Sequence, residues 1–342
     1  MPELVACFLF IGVVAYSLLG GADFGAGFWD LTAGGAERGR RPRHLVDTSL
    51  GPVWEANHTW LVYCLVFLWT GFPGAFAAIT TTLYVPLGLA ALGIVLRGAG
   101  FAFRKASFRT PEQRVYGAAF ALSSVVTPYC FGAVAGGLAS GRVPSAGNGD
   151  AVTSWLNPTS VLGGVLAVLV CAYLAAVYLH VAARRRGDRF LDAYFRGRAL
   201  LAAGVTGVVS VVGIFVLRHD APRLFDELGH RALPLVIVAA LCGITTMVLT
   251  VLGRTTGLRV LAGAAVALVV LGWGVAQYPY LLGTHLEIGE AAAPDASLEV
   301  TVGVAIVAGL LILPSLVLLF RLAGRGRLEW VPDEVPGGPG GE

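Results

Sequence analysis

Residues 4–28 read LVACFLFIGVVAYSLLGGADFGAGF, an apolar stretch interrupted by one charge, Asp23. A membrane-crossing helix needs about 20 predominantly apolar residues, and this stretch is longer. Its arginines, Arg38, Arg40, Arg41 and Arg43, follow it, and Met1-Pro2-Glu3 carries no positive charge. That pattern predicts a retained first span with its N-terminus outside rather than a cleaved leader. The rest of the chain has the same character. Its 342 residues are 56% hydrophobic and 13% charged, with a mean hydropathy of +0.75. Soluble domains carry about 25% charged residues, so little of this chain can form one. The 46 glycines fit close helix packing in a membrane.

Working outward at the same length predicts nine spans: Leu4–Phe28, Ser49–Thr70, Phe76–Leu96, Val115–Leu138, Trp155–Val181, Ala199–Leu217, Ala232–Leu252, Val260–Leu282 and Leu298–Phe320. Gly71-Phe72-Pro73-Gly74 supplies the turn between the second and third. Of the 24 Lys and Arg residues, 20 fall in the loops after the odd-numbered spans or in the C-terminal segment, and none falls inside a span. By the positive-inside rule the N-terminus is outside and the C-terminus cytoplasmic. The chain is therefore expected to be an all-α membrane protein, with a polytopic domain over 1–322 and a Gly/Pro-rich, disordered cytoplasmic tail over 323–342. The clusters Arg38–Arg43 and Arg184–Arg186 are read as topogenic, with headgroup contacts, and no nucleic-acid partner is expected.

Two carboxylates stand out, Asp23 in the first span and Glu55 in the second. An acid at mid-helix costs roughly 2.5–3.5 kcal/mol on insertion scales, and ionisable residues at membrane depth mark pairing or function. At 1.5 Å per residue, Asp23 lies about 7–8 Å from the cytoplasmic end of its span and Glu55 about 9 Å into its own. Two protonatable groups at matched depth on adjacent antiparallel helices suggest the mouth of a proton-uptake path. The plainer reading is that they satisfy helix ends or pair with loop arginines. Glu55 heads Trp54-Glu55-Ala56-Asn57-His58-Thr59-Trp60. His58 follows it by three and can relay protons beside it, while Asn57 and Trp60 share a face. No second His lies at helical spacing, so hydrogen bonding is favoured over haem or metal ligation for His58. His180, beside the Arg184–Arg186 cluster, is expected at the interface.

Other signals are bland. Cys7, Cys64, Cys130, Cys171 and Cys242 form no paired or haem-attachment spacing and read as buried apolar groups. The glycine-rich run around Asp23 lacks the strand and lysine of a phosphate loop; Gly21 and Gly25 instead make a small-residue packing face. Pro86, Pro128, Pro279 and Pro314 are expected to kink spans three, four, eight and nine.

Taken in order, these pieces resemble subunit II of the cytochrome bd-type quinol oxidases. Gly20-Gly21-Ala22-Asp23-Phe24-Gly25-Ala26-Gly27 is similar to that family's Asp-Gly-Phe-Asp-x-Gly-x-Gly, with Gly20 in place of its first acid. Gly51 to Leu61 is similar to its Pro-x-Trp-Asp/Glu-Gly/Ala-Asn-x-x-Trp-Leu, and Arg97 to Arg104 to its Arg-x-x-x-Phe-x-x-Arg. Leu156-Asn157-Pro158 and Tyr278-Pro279-Tyr280 match in their places. Ala56 and His58 look like the divergent, cyanide-insensitive branch.

The resemblance implies two four-helix bundles plus a peripheral helix. It further implies a haem-free subunit of a bacterial cytoplasmic-membrane quinol oxidase in the aerobic respiratory chain. The partner would be subunit I, holding haems b and d and reducing oxygen to water with electrons from quinol. No cofactor is assigned to this chain and no complete active site is built from it; a structural quinone, bound lipids and small accessory subunits remain open. The acids matching Asp23 and Glu55 are associated with proton delivery in that family, with His58 and Asn57 in support. Trp54, Trp60, Gly21, Gly25, Arg97 and Arg104 are then motif and packing residues. A proton-coupled secondary transporter using the same acids is the alternative, although no inverted repeat appears. A purely structural subunit is the third reading.

Overall fold

The structure, a computed structural model, describes residues 1–50, 54–106 and 110–324. It is helical nearly throughout: α1 Pro2–Leu31, α2 Ala36–Leu50, α3 Trp54–Gly71, α4 Pro73–Thr82, α5 Tyr84–Ala106, α6 Thr110–Ala139, α7 Pro158–Arg185, α8 Arg189–Asp220, α9 Pro222–Gly229, α10 Leu233–Val251 and α11 Leu258–Gln277. A small antiparallel hairpin of β1 (Tyr280–Leu282) and β2 (Leu286–Glu287) follows, then α12 (Ile288–Ala291) and α13 (Asp295–Gly324). By contacts the chain divides into two compact units, Met1–Thr301 and Val302–Glu342. The tail expected from 323 lies, from 325 onward, outside the described residues.

Among the described residues, seven helices are long and apolar enough to cross a membrane, and an eighth if the bent pair α3–α4 counts as one span. The expected nine spans differ from this in instructive places. The segment expected to enter the membrane at Ser49 is already helical as α2, an arginine-rich surface helix, and the spanning helix starts at Trp54. The expected third span, Phe76–Leu96, is two helices separated at Leu83. Pro86, third in α5, has no N–H to offer the Thr82 carbonyl, and its ring obstructs that turn. Thr80 and Thr81 turn their hydroxyls onto the Phe76 and Ala77 carbonyls, at 2.8 and 2.7 Å. Upstream, Asn57–Gly71 and Pro73–Thr82 meet at 118° around buried Phe72, with Pro73 opening α4. At the other end of the chain, α11 stops at Gln277, so Pro279 lies beyond the helix it was expected to kink.

The core is organised by α7. Asn157 caps it, its side chain accepting from the Ser160 N–H at 2.9 Å, and Pro158 starts it. From Cys171 to Ala183 it is buried on nearly every side, the pattern of a helix surrounded by others. Helices α1, α3, α5 and α6 pack as one group and α7, α8, α10 and α11 as another; α7 joins them through α1 and α6. Close approach of α1 to α7 depends on Gly25, where a methyl group would overlap the Cys171 carbonyl.

Candidate functional site

Buried polar groups gather along α1 and on the helices that touch it. Asp23 is buried there and meets Arg97 of α5, whose side chain is 0% exposed. Arg97 Nη2 donates to Asp23 Oδ1 at 2.6 Å and to the Asp23 carbonyl at 2.8 Å, while Nε donates to Oδ2 at 3.3 Å. Nη1 donates to Ser124 Oγ on α6, and that hydroxyl donates to the Phe120 carbonyl at 2.6 Å. The guanidinium lies 5.0 Å from the Phe24 ring centre and 4.2 Å from that of Phe120, a cation–π enclosure. Gly27 leaves room for this cluster, since a methyl group there would strike Ser124 and Arg97.

Arg97 corrects the sequence reading, which put it in a loop after Leu96. It is an interior residue of α5, which runs on to Ala106. The helix holds a fully buried charge because Asp23, from a helix distant in sequence, meets it with fork geometry.

A second carboxylate on α1 lies past the span that apolar length predicts. Asp30, seven residues after Asp23, is buried and accepts from Arg43 Nε of α2 at 2.7 Å. Seven residues are nearly two turns, so the two acids lie on similar faces about 10 Å apart along the axis. The heptad spacing was readable, but Asp30 fell beyond the expected end at Phe28. His180, expected at the interface, is fully buried: Nδ1 meets Asp192 of α8 at 2.9 Å, and Arg184 meets the same carboxylate at 2.9 Å.

The tryptophan-flanked cluster opens α3. Glu55 is in the first turn of that helix rather than a third of the way along a longer one. The side chains of Trp54, Glu55 and Arg104 lie outside the described residues. Helices α1 and α3 are antiparallel neighbours. Gly71 lies against Val5, Phe67 against Phe8, and Cys64 against Gly12, and Tyr63 donates to the Phe8 carbonyl at 3.1 Å. Extending this register by about nine residues sets the Glu55 backbone level with Gly20–Gly21, within about a turn of Asp23.

Asn57 is only 2% exposed, and neither its amide oxygen nor its nitrogen has a hydrogen-bond partner among the described residues. One turn on, Trp60 Nε1 is likewise buried and unpartnered, with its ring edge-on to Tyr63 at 5.7 Å. His58 is half-buried and makes an interaction of its own. On α6, Thr127 Oγ1 is buried without a partner beside Gly93. Gly21 packs on Leu174 of α7 and, with Gly25, forms the expected packing face. Among the described residues no three His, Cys, Asp or Glu come together as a set of metal ligands.

The family model for cytochrome bd terminal oxidase subunit II matches residues 1–323. The chain belongs to that family. The cytochrome bd ubiquinol oxidase subunit 2 of Bacillus subtilis is 26% identical over 300 residues, covering 85% of this chain and 86% of that one. Cytochrome bd-I ubiquinol oxidase subunit 2 of Escherichia coli K12 is 24% identical over 344 residues, covering 87% and 88%. Among solved structures, a chain of the bd oxidase from Geobacillus thermodenitrificans superposes with a TM-score of 0.79 at 26% identity, covering 94% of this chain and 98% of that one. Family membership and the long apolar helices together make this a multi-pass membrane protein and a bd oxidase subunit.

Proposed function

We propose that this chain is the haem-free subunit of a quinol:oxygen oxidoreductase in the aerobic respiratory chain of a bacterial cytoplasmic membrane. It lies with its N-terminus outside and its C-terminus in the cytoplasm. It supports a haem-bearing subunit I and carries cytoplasmic protons toward the site where that subunit reduces oxygen. Haems b and d in the partner supply electron transfer and oxygen chemistry, with quinol as the electron source.

The observation that carries the proton role is the contrast within the buried polar groups. The Asn57 amide and Trp60 indole are buried and unpartnered, while the nearby Asp23–Arg97 pair is saturated. Buried polar groups without protein partners are normally met by water, which makes about three hydrogen bonds in such sites. Water on Asn57 and Trp60 places a hydrogen-bonded chain beside the head of α3. There Glu55 can take up a proton, and His58, three residues on, can accept and release one. Asp23, held by Arg97, contributes a fixed carboxylate at the same depth, while Arg97 also holds the Ser124 hydroxyl, so the pair shapes the path without coming apart. Family membership and the agreement of depth between Asp23 and Glu55 support the same reading.

Purification from membranes is the decisive test. The oxidase reading expects a stable haem-bearing partner and oxygen uptake driven by quinol. A lone, haem-free protein that moves a solute with protons would instead establish the transporter reading.

A further inference from the structure

One end of the Met1–Thr301 unit is crowded with arginines whose acids are spent. Arg41 of α2 pairs with Asp188 at 2.9 Å and stacks over Phe190 at 4.9 Å, which clamps α2 to the α7–α8 turn. Arg43 takes Asp30, and Arg184 shares Asp192 with His180; Asp47 is also engaged. Arg184 Nη1 lies beside Gly253 and Arg196 Nε donates to the Thr250 carbonyl at 2.8 Å, so the α10–α11 turn joins the same end. Once these pairs are made, Arg38, Arg40, Arg185, Arg186, Arg189 and Arg254 are exposed with no ion pair among the described residues. Among the described residues, Glu37 is an exposed acid on the same helix as Arg38 and Arg40. Arg198 adds to the excess. It is half-buried with Nε unpartnered, its guanidinium 3.4 Å from the Tyr194 ring centre.

This surplus sits at the edge of an apolar surface. Leu31, Phe190 and Leu252 are 51%, 53% and 62% exposed beside the arginines. Helix α2 buries Gly39, Pro42, Leu45 and Val46 and turns Arg38, Arg40 and Arg41 outward, the arrangement of a helix lying in a membrane interface. Guanidinium groups match phosphate oxygens in a fork geometry, and their stems cover apolar surface while the heads reach water. A soluble anion would use the charge and leave the apolar rim idle; a phospholipid uses both.

We infer that the ends of α2 and the α7–α8 turn form a site for the headgroup of an anionic phospholipid. Exposed arginines of α2 (Arg38, Arg40) and of the α7–α8 turn (Arg185, Arg186, Arg189) supply the phosphate contacts, with acyl chains against Phe190 and Leu31. The site is independent of the proton path and needs no part of it.

The test uses the purified, partially delipidated oxidase complex, titrated with phosphatidylglycerol or phosphatidylcholine in neutral detergent. Retained lipid is counted by native mass spectrometry. Phosphatidylglycerol is expected to bind at least about tenfold more tightly, from two or more arginine contacts. The triple change Arg185→Gln, Arg186→Gln and Arg189→Gln should abolish that preference while haem content stays unchanged. Should that variant fail to assemble, Arg38→Gln with Arg40→Gln is expected to weaken the preference from the other side. Equal retention of both lipids would overturn the inference, as would a preference that survives the arginine changes. Displacement by inorganic phosphate as readily as by phosphatidylglycerol would overturn the lipid assignment in favour of a free-anion site.

Discussion

Two polar sites flank α1 and differ in one respect. Around Asp23 and Arg97 every strong donor and acceptor of the pair finds a protein partner, and two phenyl rings close it off. Around Asn57 and Trp60 the buried groups find none. A saturated buried ion pair is a structural joint: it opposes the desolvation of its own members and fixes which helices meet. An unsaturated buried amide is costly unless water meets it. The contrast makes α1–α5–α6 the joint and is what the proposed proton role of α3 rests on, although the sequence motifs give Asp23 and Glu55 equal standing.

The largest expected effect breaks the joint. Arg97→Leu leaves a buried carboxylate alone and should destabilise the fold by about 3–5 kcal/mol, seen as a lower thermal midpoint of the purified complex. Asp23→Leu combined with Arg97→Leu should recover most of that loss. A double variant no more stable than the single one would show that the pair is not the joint. Next comes Gly25→Val, which drives a side chain into the Cys171 carbonyl; overpacking of this kind costs about 1–3 kcal/mol and should loosen α1 from α7.

Asn57→Leu sharpens the contrast from the other side. With the amide and its water replaced by an apolar group of similar size, the thermal midpoint should hold, since exchanging both hydrogen-bond partners for apolar groups of the same shape is nearly neutral. Oxygen uptake should fall because the water has lost its anchor. A lower midpoint with unchanged uptake would make Asn57 a packing residue.

The smallest effect lies outside both sites. Asp188 caps α8, and hydrogen bonds from the Leu191 and Phe190 N–H groups, with Arg41 alongside, hold its carboxyl below the ordinary value of 3.8. A depressed carboxylate stabilises the folded state fully above its unfolded pKa and loses that contribution as pH falls through the folded value. The difference in thermal midpoint between the native protein and Asp188→Ala should therefore be present at pH 6 and shrink below about pH 4. A difference that is the same at both pH values would remove the cap from the account.

Much of the architecture was legible because apolar length and arginine placement are local signals. The runs around residues 4–28 and 158–185 need no partner to be recognised as spanning helices. What escaped notice depended on distant residues. Arg97 was placed in a loop because a charge ordinarily ends a span; only Asp23, on another helix, lets it stay inside. His180 was placed at the interface by its arginine neighbours, whereas Asp192 on the next helix gives it a buried partner. Pro86 reads as a kink, but four residues after Thr82 it denies that carbonyl its helical donor, and α4 ends there. In the candidate site, Asp23, Asn57 and Trp60 were visible as polar residues in apolar sequence. Which of them was paired and which was open was not visible, because pairing is a property of the packed helices.

Entry of protons through the head of α3 is the step on which the proposed function turns. Its most direct measurement is quinol-driven oxygen uptake by the purified complex carrying Glu55→Gln, normalised to haem content. The account predicts a fall of at least about tenfold with haem content intact, within the range typical of lost acid–base groups. Uptake equal to that of the unaltered complex would contradict it and leave Glu55 a structural residue.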